Sequence, residues 1–191
     1  MRPESVALRV ATPVDVPALT SLVNSAYRGE SSRVGWTTEA DLLGGQRTDE
    51  AALQEFIGGA SGDPHARVML IAIEADAPLA CVQLERRGDL AYLGMLTVAP
   101  ARQSSGLGRR LLEAAEREVV RRWSVRGMMM TVIAQRAELI DWYERRGYRR
   151  SGATAPFPYG DERFGLPRRL DLHFVVLEKS LTTPNPSGHD V

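Results

Sequence analysis

Short apolar blocks lie on either side of one long amphipathic segment, and this pattern predicts most of the elements. Val6 to Val10 alternates weakly and reads as a first strand. Val16, Leu19, Leu22, Val23 and Ala26 recur at helical spacing, which predicts a helix from about Pro13 to Tyr27, with Thr12 as cap and Pro13 at its first position. Arg28 to Gly62 is harder to read. It holds a polar loop, a capped helical turn over Thr37 to Leu43, a second helical pattern over Asp49 to Ile57 and a closing turn at Ser61-Gly62-Asp63-Pro64. A connection of this length is expected to form a substrate wall or lid. Val68 to Glu74, Leu79 to Glu85 and Leu90 to Val98 are apolar runs joined by short turns, the pattern of an antiparallel meander.

A polar turn, Ala99 to Ser105, leads into a helix opening on Gly106-Leu107-Gly108. Leu107, Leu111, Leu112, Ala115, Val119 and Trp123 share one face of it, and Arg110, Glu113, Arg117 and Arg121 the other. Gly127 to Ala134 reads as a strand buried on both faces. Strand, helix and strand within about 45 residues imply a right-handed crossover between parallel strands. Ala137 to Arg146 is a further helix with Leu139, Ile140 and Tyr143 facing inward. Gly147 is its left-handed cap, and Tyr148 supplies the apolar contact that follows such a cap. A loop rich in Pro, Gly and charge separates Tyr148 to Ser151 from a last strand, Leu172 to Leu177. The expected fold class is α/β (α+β): a single mixed, mostly antiparallel twisted sheet of about six or seven strands with flanking helices.

Composition narrows the options. A chain of 191 residues fits one domain, here 1–181, with Thr182 to Val191 expected to be a disordered polar tail. Lys plus Arg equals Asp plus Glu at 24 each, which argues against nucleic acid as the main partner. The single cysteine, Cys81, lies in an apolar run and reads as an inert buried thiol. No apolar run approaches the ~20 residues that cross a bilayer, and Met1-Arg2-Pro3-Glu4 lacks the apolar stretch of a signal peptide. A soluble, cytoplasmic protein without metal is expected.

The glycine turn carries the candidate chemistry, because a strand running through glycines into a helix presents backbone N–H groups to a phosphate. A dinucleotide fingerprint needs a third glycine, where this chain has Leu111, and a Walker loop needs Gly-Lys-Ser or Gly-Lys-Thr, which is absent. The glycines could also merely start a helix. The wider pattern distinguishes these readings. Val98-Ala99-Pro100, then Gln103-Ser104-Ser105-Gly106-Leu107-Gly108 and Arg109-Arg110-Leu111-Leu112, resembles the acyl-CoA loop of the GNAT N-acetyltransferase superfamily. Trp142-Tyr143-Glu144-Arg145-Arg146-Gly147-Tyr148 looks like that superfamily's second hallmark. Tyr27-Arg28-Gly29-Glu30 with Gly35-Trp36-Thr37-Thr38-Glu39 resembles a bacterial and fungal branch of it.

The resemblance spans roughly Val6 to Lys179 and implies the GNAT acyl-CoA N-acyltransferase fold. It also implies an acetyl-CoA-dependent N-acetyltransferase that moves an acetyl group to a primary amine of a small molecule, peptide or protein. The implied cofactor-binding residues are Leu96, Thr97 and Val98 for the pantetheine arm and Gln103, Ser104, Ser105, Gly106, Leu107, Gly108, Arg109 and Arg110 for the pyrophosphate. Gly94 is a plausible bulge that helps the strand diverge. Tyr143 falls at the general-acid position. A phenol (about 10) is less acidic than a thiol (about 8.5), so its safer role is a hydrogen bond to the departing sulfur. Arg136 stands where many relatives carry Asn, which leaves that cofactor contact open. The strand before the loop lacks the acidic residue often used as base, leaving Glu30, Glu85 and Asp41, of which Glu30 is preferred. Acceptor walls are expected from Tyr27 to Asp49, with Trp36 and Arg47, and from Pro156 to Arg169, with Phe157, Tyr159, Arg163 and Phe164. Expected partners are acetyl-CoA and an amine, with a homodimer open and neither nucleic acid nor membrane. A non-catalytic acyl-CoA-binding module is the alternative.

Overall fold

Alternation governs the middle of the chain, because successive side chains of a strand face opposite sides of a sheet. Val68, Leu70, Val82 and Leu84 enter one core cluster, and their neighbours Met69, Ile71 and Cys81 enter another. A computed structural model describes residues 6–59 and 63–181. In chain order the elements are β1 (Ala7–Val10), α1 (Val16–Tyr27), α2 (Gly29–Ser32), β2 (Leu43–Gly44), α3 (Glu50–Gly58), β3 (Arg67–Glu74), β4 (Ala77–Arg87), β5 (Leu90–Val98), α4 (Leu107–Trp123), β6 (Gly127–Ile133), α5 (Ala137–Glu144), β7 (Arg149–Pro156), β8 (Leu166–Pro167) and β9 (His173–Ser180).

Seven strands form one sheet in the order β1-β3-β4-β5-β6-β9-β7, and only β5 and β6 run parallel. This is the mixed, mostly antiparallel sheet with flanking helices that the sequence predicts. Leu111, Leu112, Ala115 and Val119 of α4 and Ile140 and Tyr143 of α5 fill the core on one face. Leu19, Leu22 and Val23 of α1 and Leu53 of α3 fill the other. Gly147 adopts φ +89° after α5, and the Tyr148 N–H reaches back to the Tyr143 carbonyl at 3.3 Å, the predicted left-handed cap. Among the described residues no helix is long and apolar enough to cross a membrane.

Two expectations change and a third is extended. The turn at Pro13–Asp15 is 3₁₀, and α1 proper begins at Val16. Gly29–Ser32 forms a short helix where a loop was expected. Thr37 to Leu43 makes a single helical turn, closed by the Leu43 N–H on the Glu39 carbonyl at 2.8 Å, and then pairs as β2 with β8. That pairing brings the Pro- and Gly-rich late loop onto the early connection. The tail from Thr182 and the turn residues Ser61 and Gly62 lie outside the described residues.

Candidate active site

β5 is bent where the site begins. Gln83 of β4 pairs with Gly94, but two residues earlier Cys81 pairs with Thr97, so β5 carries one extra residue between them. The extra residue is absorbed next to the glycine, not at it: Met95 has φ +50°, a left-handed conformation that costs a side-chain-bearing residue about 1–2 kcal/mol. Thr97, itself buried, donates its hydroxyl to the Met95 carbonyl at 3.0 Å and clips the bulge shut. On the other side, parallel pairing with β6 stops at Tyr92–Met129. Beyond it the two strands separate, and two chambers occupy the gap.

The first chamber, of about 340 Å³, lies between the end of β5, the glycine turn and α5. Ser104 and Gly106 both take positive φ, +63° and +83°, which turns the chain from β5 into α4. Gly106 offers no side chain to cap the helix, and no acidic residue sits in its first turn. The free N–H groups and the helix dipole therefore present positive potential to the chamber. A Cβ on Gly108 would stand 3.4 Å from Val98 and 3.6 Å from the Trp142 indole, filling the slot between them.

Arg109, Arg145 and Arg146 line the same mouth. Arg146 lies 3.6 Å over the Trp142 ring and donates to the Trp142 carbonyl at 2.6 Å, yet its buried Nε has no partner. Burial, then repulsion from Arg145 and Arg109, lowers its pKa. A bound anion would relieve that crowding. Gln103 ties the opposite lip: it accepts from the Trp36 N–H at 3.0 Å and donates to the Val98 carbonyl at 3.3 Å. The Leu96 carbonyl accepts the Tyr27 hydroxyl at 3.0 Å. Each of these carbonyls keeps a second lone pair for a ligand amide. The turn amides, the glycine slot and the three guanidinium groups suit a long cofactor with a pyrophosphate.

The second chamber, of about 120 Å³, lies between Leu93–Leu96 and Met130–Ile133, and Tyr27, Leu96, Arg136 and Tyr143 are among the residues that wall both. Tyr143 is buried edge-on between Trp142 and Tyr148, with ring centroids 5.0 and 5.7 Å away. Burial raises its pKa well above the ordinary phenol value, so it stays protonated. Among the described residues its hydroxyl has no hydrogen-bond partner, which leaves it free to donate. Beside it, Glu39 bridges Arg28 and Arg136, the latter at 2.8 Å. Burial pushes the Glu39 carboxyl up, but Arg136, Arg28 and Arg47 outweigh that and hold its pKa below the usual value.

The expected site residues divide between these places. Leu96, Thr97, Val98, Gln103, Ser104, Gly106, Gly108, Arg109 and Tyr143 wall the first chamber. Leu107 is turned into the core, because it begins the apolar face of α4. Ser105 is exposed, with its hydroxyl on the Arg102 carbonyl at 2.7 Å, and Arg110 is exposed on the helix face away from the chamber. Glu30 is not brought to the site: its side chain is 91% exposed and pairs with Arg33 at 3.1 Å, since α2 turns it to solvent. Asp41 also pairs with Arg33, and Glu85 with Arg87, outside both chambers. Trp36, expected on the acceptor side, instead faces the first chamber 6.4 Å from Trp142. Phe157 and Phe164 wall the second chamber, whereas Arg163 and Tyr159 do not; Arg163 is exposed on Asp161.

Sequence reasoning overlooked Arg145, Arg146 and Glu39. The two arginines stand inside the Trp142–Tyr148 motif, and their place one turn after Tyr143 is the signal that could have found them. Glu39 has no local signal, since Arg136 is 97 positions away.

Residues 22–148 match the family model described as the acetyltransferase (GNAT) family. No curated protein matches the sequence. Solved structures resemble it in fold. The ribosomal-protein-S18-alanine N-acetyltransferase of Escherichia coli is 17% identical, with TM-score 0.65 over 96% of this chain and 98% of that one. yncA of Salmonella typhimurium, solved with its cofactor acetyl-CoA, is 19% identical, with TM-score 0.68 over 95% and 99%. The ribosomal-protein-alanine N-acetyltransferase of Brucella melitensis is 19% identical, with TM-score 0.68 over 92% and 99%. With two thirds of its length under the family model and the splayed β5–β6 pair at its centre, the chain belongs to the GNAT acetyltransferase family.

Proposed function

We propose that the protein transfers an acetyl group from acetyl-CoA to a primary amine by direct attack in a ternary complex. The observation that carries this reading is the wall the two chambers share: Tyr143 lines both the chamber with the anion cradle at Gly106–Arg109 and the charged second chamber. The turn amides, with Arg109, Arg145 and Arg146, would hold the pyrophosphate, and the freed edge of β5 the pantetheine arm. Acetyl-CoA supplies the thioester: the C–N bond forms, the C–S bond breaks with its electron pair on sulfur, and sulfur takes the proton that nitrogen loses.

The residues of the chain orient and stabilise these changes. Tyr143, kept protonated by burial, donates a hydrogen bond to the leaving sulfur and polarises the bond that breaks. Among the described residues Glu39 is the only carboxylate in either chamber, and two guanidinium groups engage it. It positions Arg28 and Arg136 rather than taking a proton from a group as basic as an amine. The net positive field of the second chamber disfavours an ammonium ion, so the acceptor enters as free amine after yielding its proton to solvent.

The test is thiol release from acetyl-CoA against a panel of amines, amino acids and peptides, with Tyr143→Phe alongside. Acceptor-dependent release that falls about tenfold or more in the variant is expected, in line with the 10²–10⁴-fold contribution of well-placed proton donors. Thermal stabilisation by acetyl-CoA without turnover on any amine would leave a binding module instead.

A further inference from the structure

The second chamber holds more positive charge than its own residues neutralise. Arg28, Arg47 and Arg136 face one carboxylate, Glu39, and among the described residues no other charged side chain lines it, so three guanidinium groups against one carboxylate give a net charge of +2. Arg28 and Arg136 are each 6% exposed, and the Nε of each is buried with no hydrogen-bond partner. Buried donors of this kind are costly to leave unmade and rare in folded proteins. Arg47 makes no ion pair among the described residues. Its guanidinium sits 5.4 Å from the Tyr27 ring centroid, at the chamber wall. The aromatic rings of Phe157 and Phe164 supply apolar wall beside these charges.

We propose that this chamber selects a small acceptor that carries an oxyanion, a carboxylate or phosphonate a few bonds from its amine, held by Arg47 in the positive field of Arg28 and Arg136. The proposal deepens the acetyl-transfer reading above and rests on it. Size limits the acceptor: a chamber of about 120 Å³ has room for an amino-acid-sized group and not for a folded surface. Orientation follows from the walls. The anion lies toward Arg28 and Arg47, which wall the second chamber alone, and this leaves the nitrogen toward Tyr143, on the wall shared with the first chamber. Glu39 holds two of the arginines in place, so the chamber is charged before the acceptor arrives, and little reorganisation accompanies binding.

The test compares three forms of each acceptor: the amino acid, its aminophosphonate, and the amine lacking any acid group. Thiol release is measured in wild type, Arg47→Gln and Arg47→Lys. One charge-assisted contact separates the forms by about 10- to 100-fold in kcat/KM. Arg47→Gln should shrink the preference for acids, and Arg47→Lys should restore part of it. Whether carboxylate or phosphonate is the better substrate identifies the anion. Amines and amides turned over as well as the acids would overturn the proposal while acetyl transfer stands. A second measurement does not depend on turnover: with CoA present, N-acetylated amino acids should raise the melting temperature more than their amides. Equal shifts for acid and amide would also overturn it. Absence of thiol release with every acceptor, together with a selective shift, would refute the transfer reading alone.

Discussion

Replacing Glu39 with Gln removes the one negative charge inside the second chamber. The carboxylate bonds to Arg136 at 2.8 Å and contacts Arg28, and both arginine side chains are more than nine-tenths buried. Breaking a buried ion pair from one side costs about 3–5 kcal/mol, because the partner charge is left uncompensated. Glutamine keeps one carbonyl acceptor and the chamber admits solvent, which favours the lower end, about 3 kcal/mol. For a protein of this size that is a fall in melting temperature of about 6–12 °C. The wild-type carboxyl titrates below its usual range, so its stabilisation is complete above the ordinary glutamate pKa and fades as pH falls below it. The gap between wild type and variant should therefore close in acid. Thermal unfolding across pH measures this, and the pH dependence of turnover measures the other half: a positioning residue leaves the shape of that profile unchanged. A variant with unaltered melting temperature, no turnover and a lost acidic limb would make Glu39 the base and refute the positioning role.

Two further outcomes test the frame of the site. Met95→Ala and Met95→Gly both delete a buried side chain, at a cost of about 2–5 kcal/mol. Because Met95 sits at φ +50°, the glycine variant should be the more stable of the two by about 1 kcal/mol in urea unfolding; the opposite order, usual in a regular strand, would exclude backbone strain there. At the edge of the sheet, the Arg9 guanidinium, with the Thr12 N–H, holds the Asp15 carboxyl at about 2. Asp15→Asn should cost about 2 kcal/mol at neutral pH, and less to the extent that half-exposed Arg9 is screened. That difference should be full above about pH 4 and vanish as pH falls through about 2; a gap that persists in acid would point to packing alone.

Local patterns made most of the fold legible. The meander, the long amphipathic helix and the continuous Gly127–Ala134 run each reveal themselves in contiguous sequence, since period and length suffice to identify such elements. The first chamber was legible for the same reason: Gln103 to Arg109 is contiguous in sequence, and Tyr143 follows on the next helix. The second chamber was legible only in part, through Arg47, Phe157 and Phe164 at its wall. Its charged centre joins Arg28, Glu39 and Arg136 from three segments, and β2 meets β8 across more than a hundred residues, so no local spacing announces either. Glu30 is the preferred base once the strand before the loop offers no acid, but the short helix it enters aims it at solvent. Gly94 signalled the bulge, yet the left-handed residue is Met95, because the strand takes up its extra residue just past the glycine and Thr97 clips it there.

Gly108 offers the most direct test of the central claim, that the slot between α4, Val98 and Trp142 exists to hold acetyl-CoA. A Cβ at this position meets only ordinary contacts, 3.4 Å to Val98 and 3.6 Å to Trp142, so the empty protein tolerates it. A helical glycine replaced by leucine gains about 0.5–1 kcal/mol of helix propensity, and the branched end of that side chain, unlike a single Cβ, reaches on into the slot. Equilibrium titration of wild type and Gly108→Leu with acetyl-CoA, beside their melting temperatures, should therefore separate the two properties: little change in thermal stability with affinity weaker by about tenfold or more. Equal affinity in the two proteins, or no binding of acetyl-CoA to wild type, would contradict the assignment of this slot.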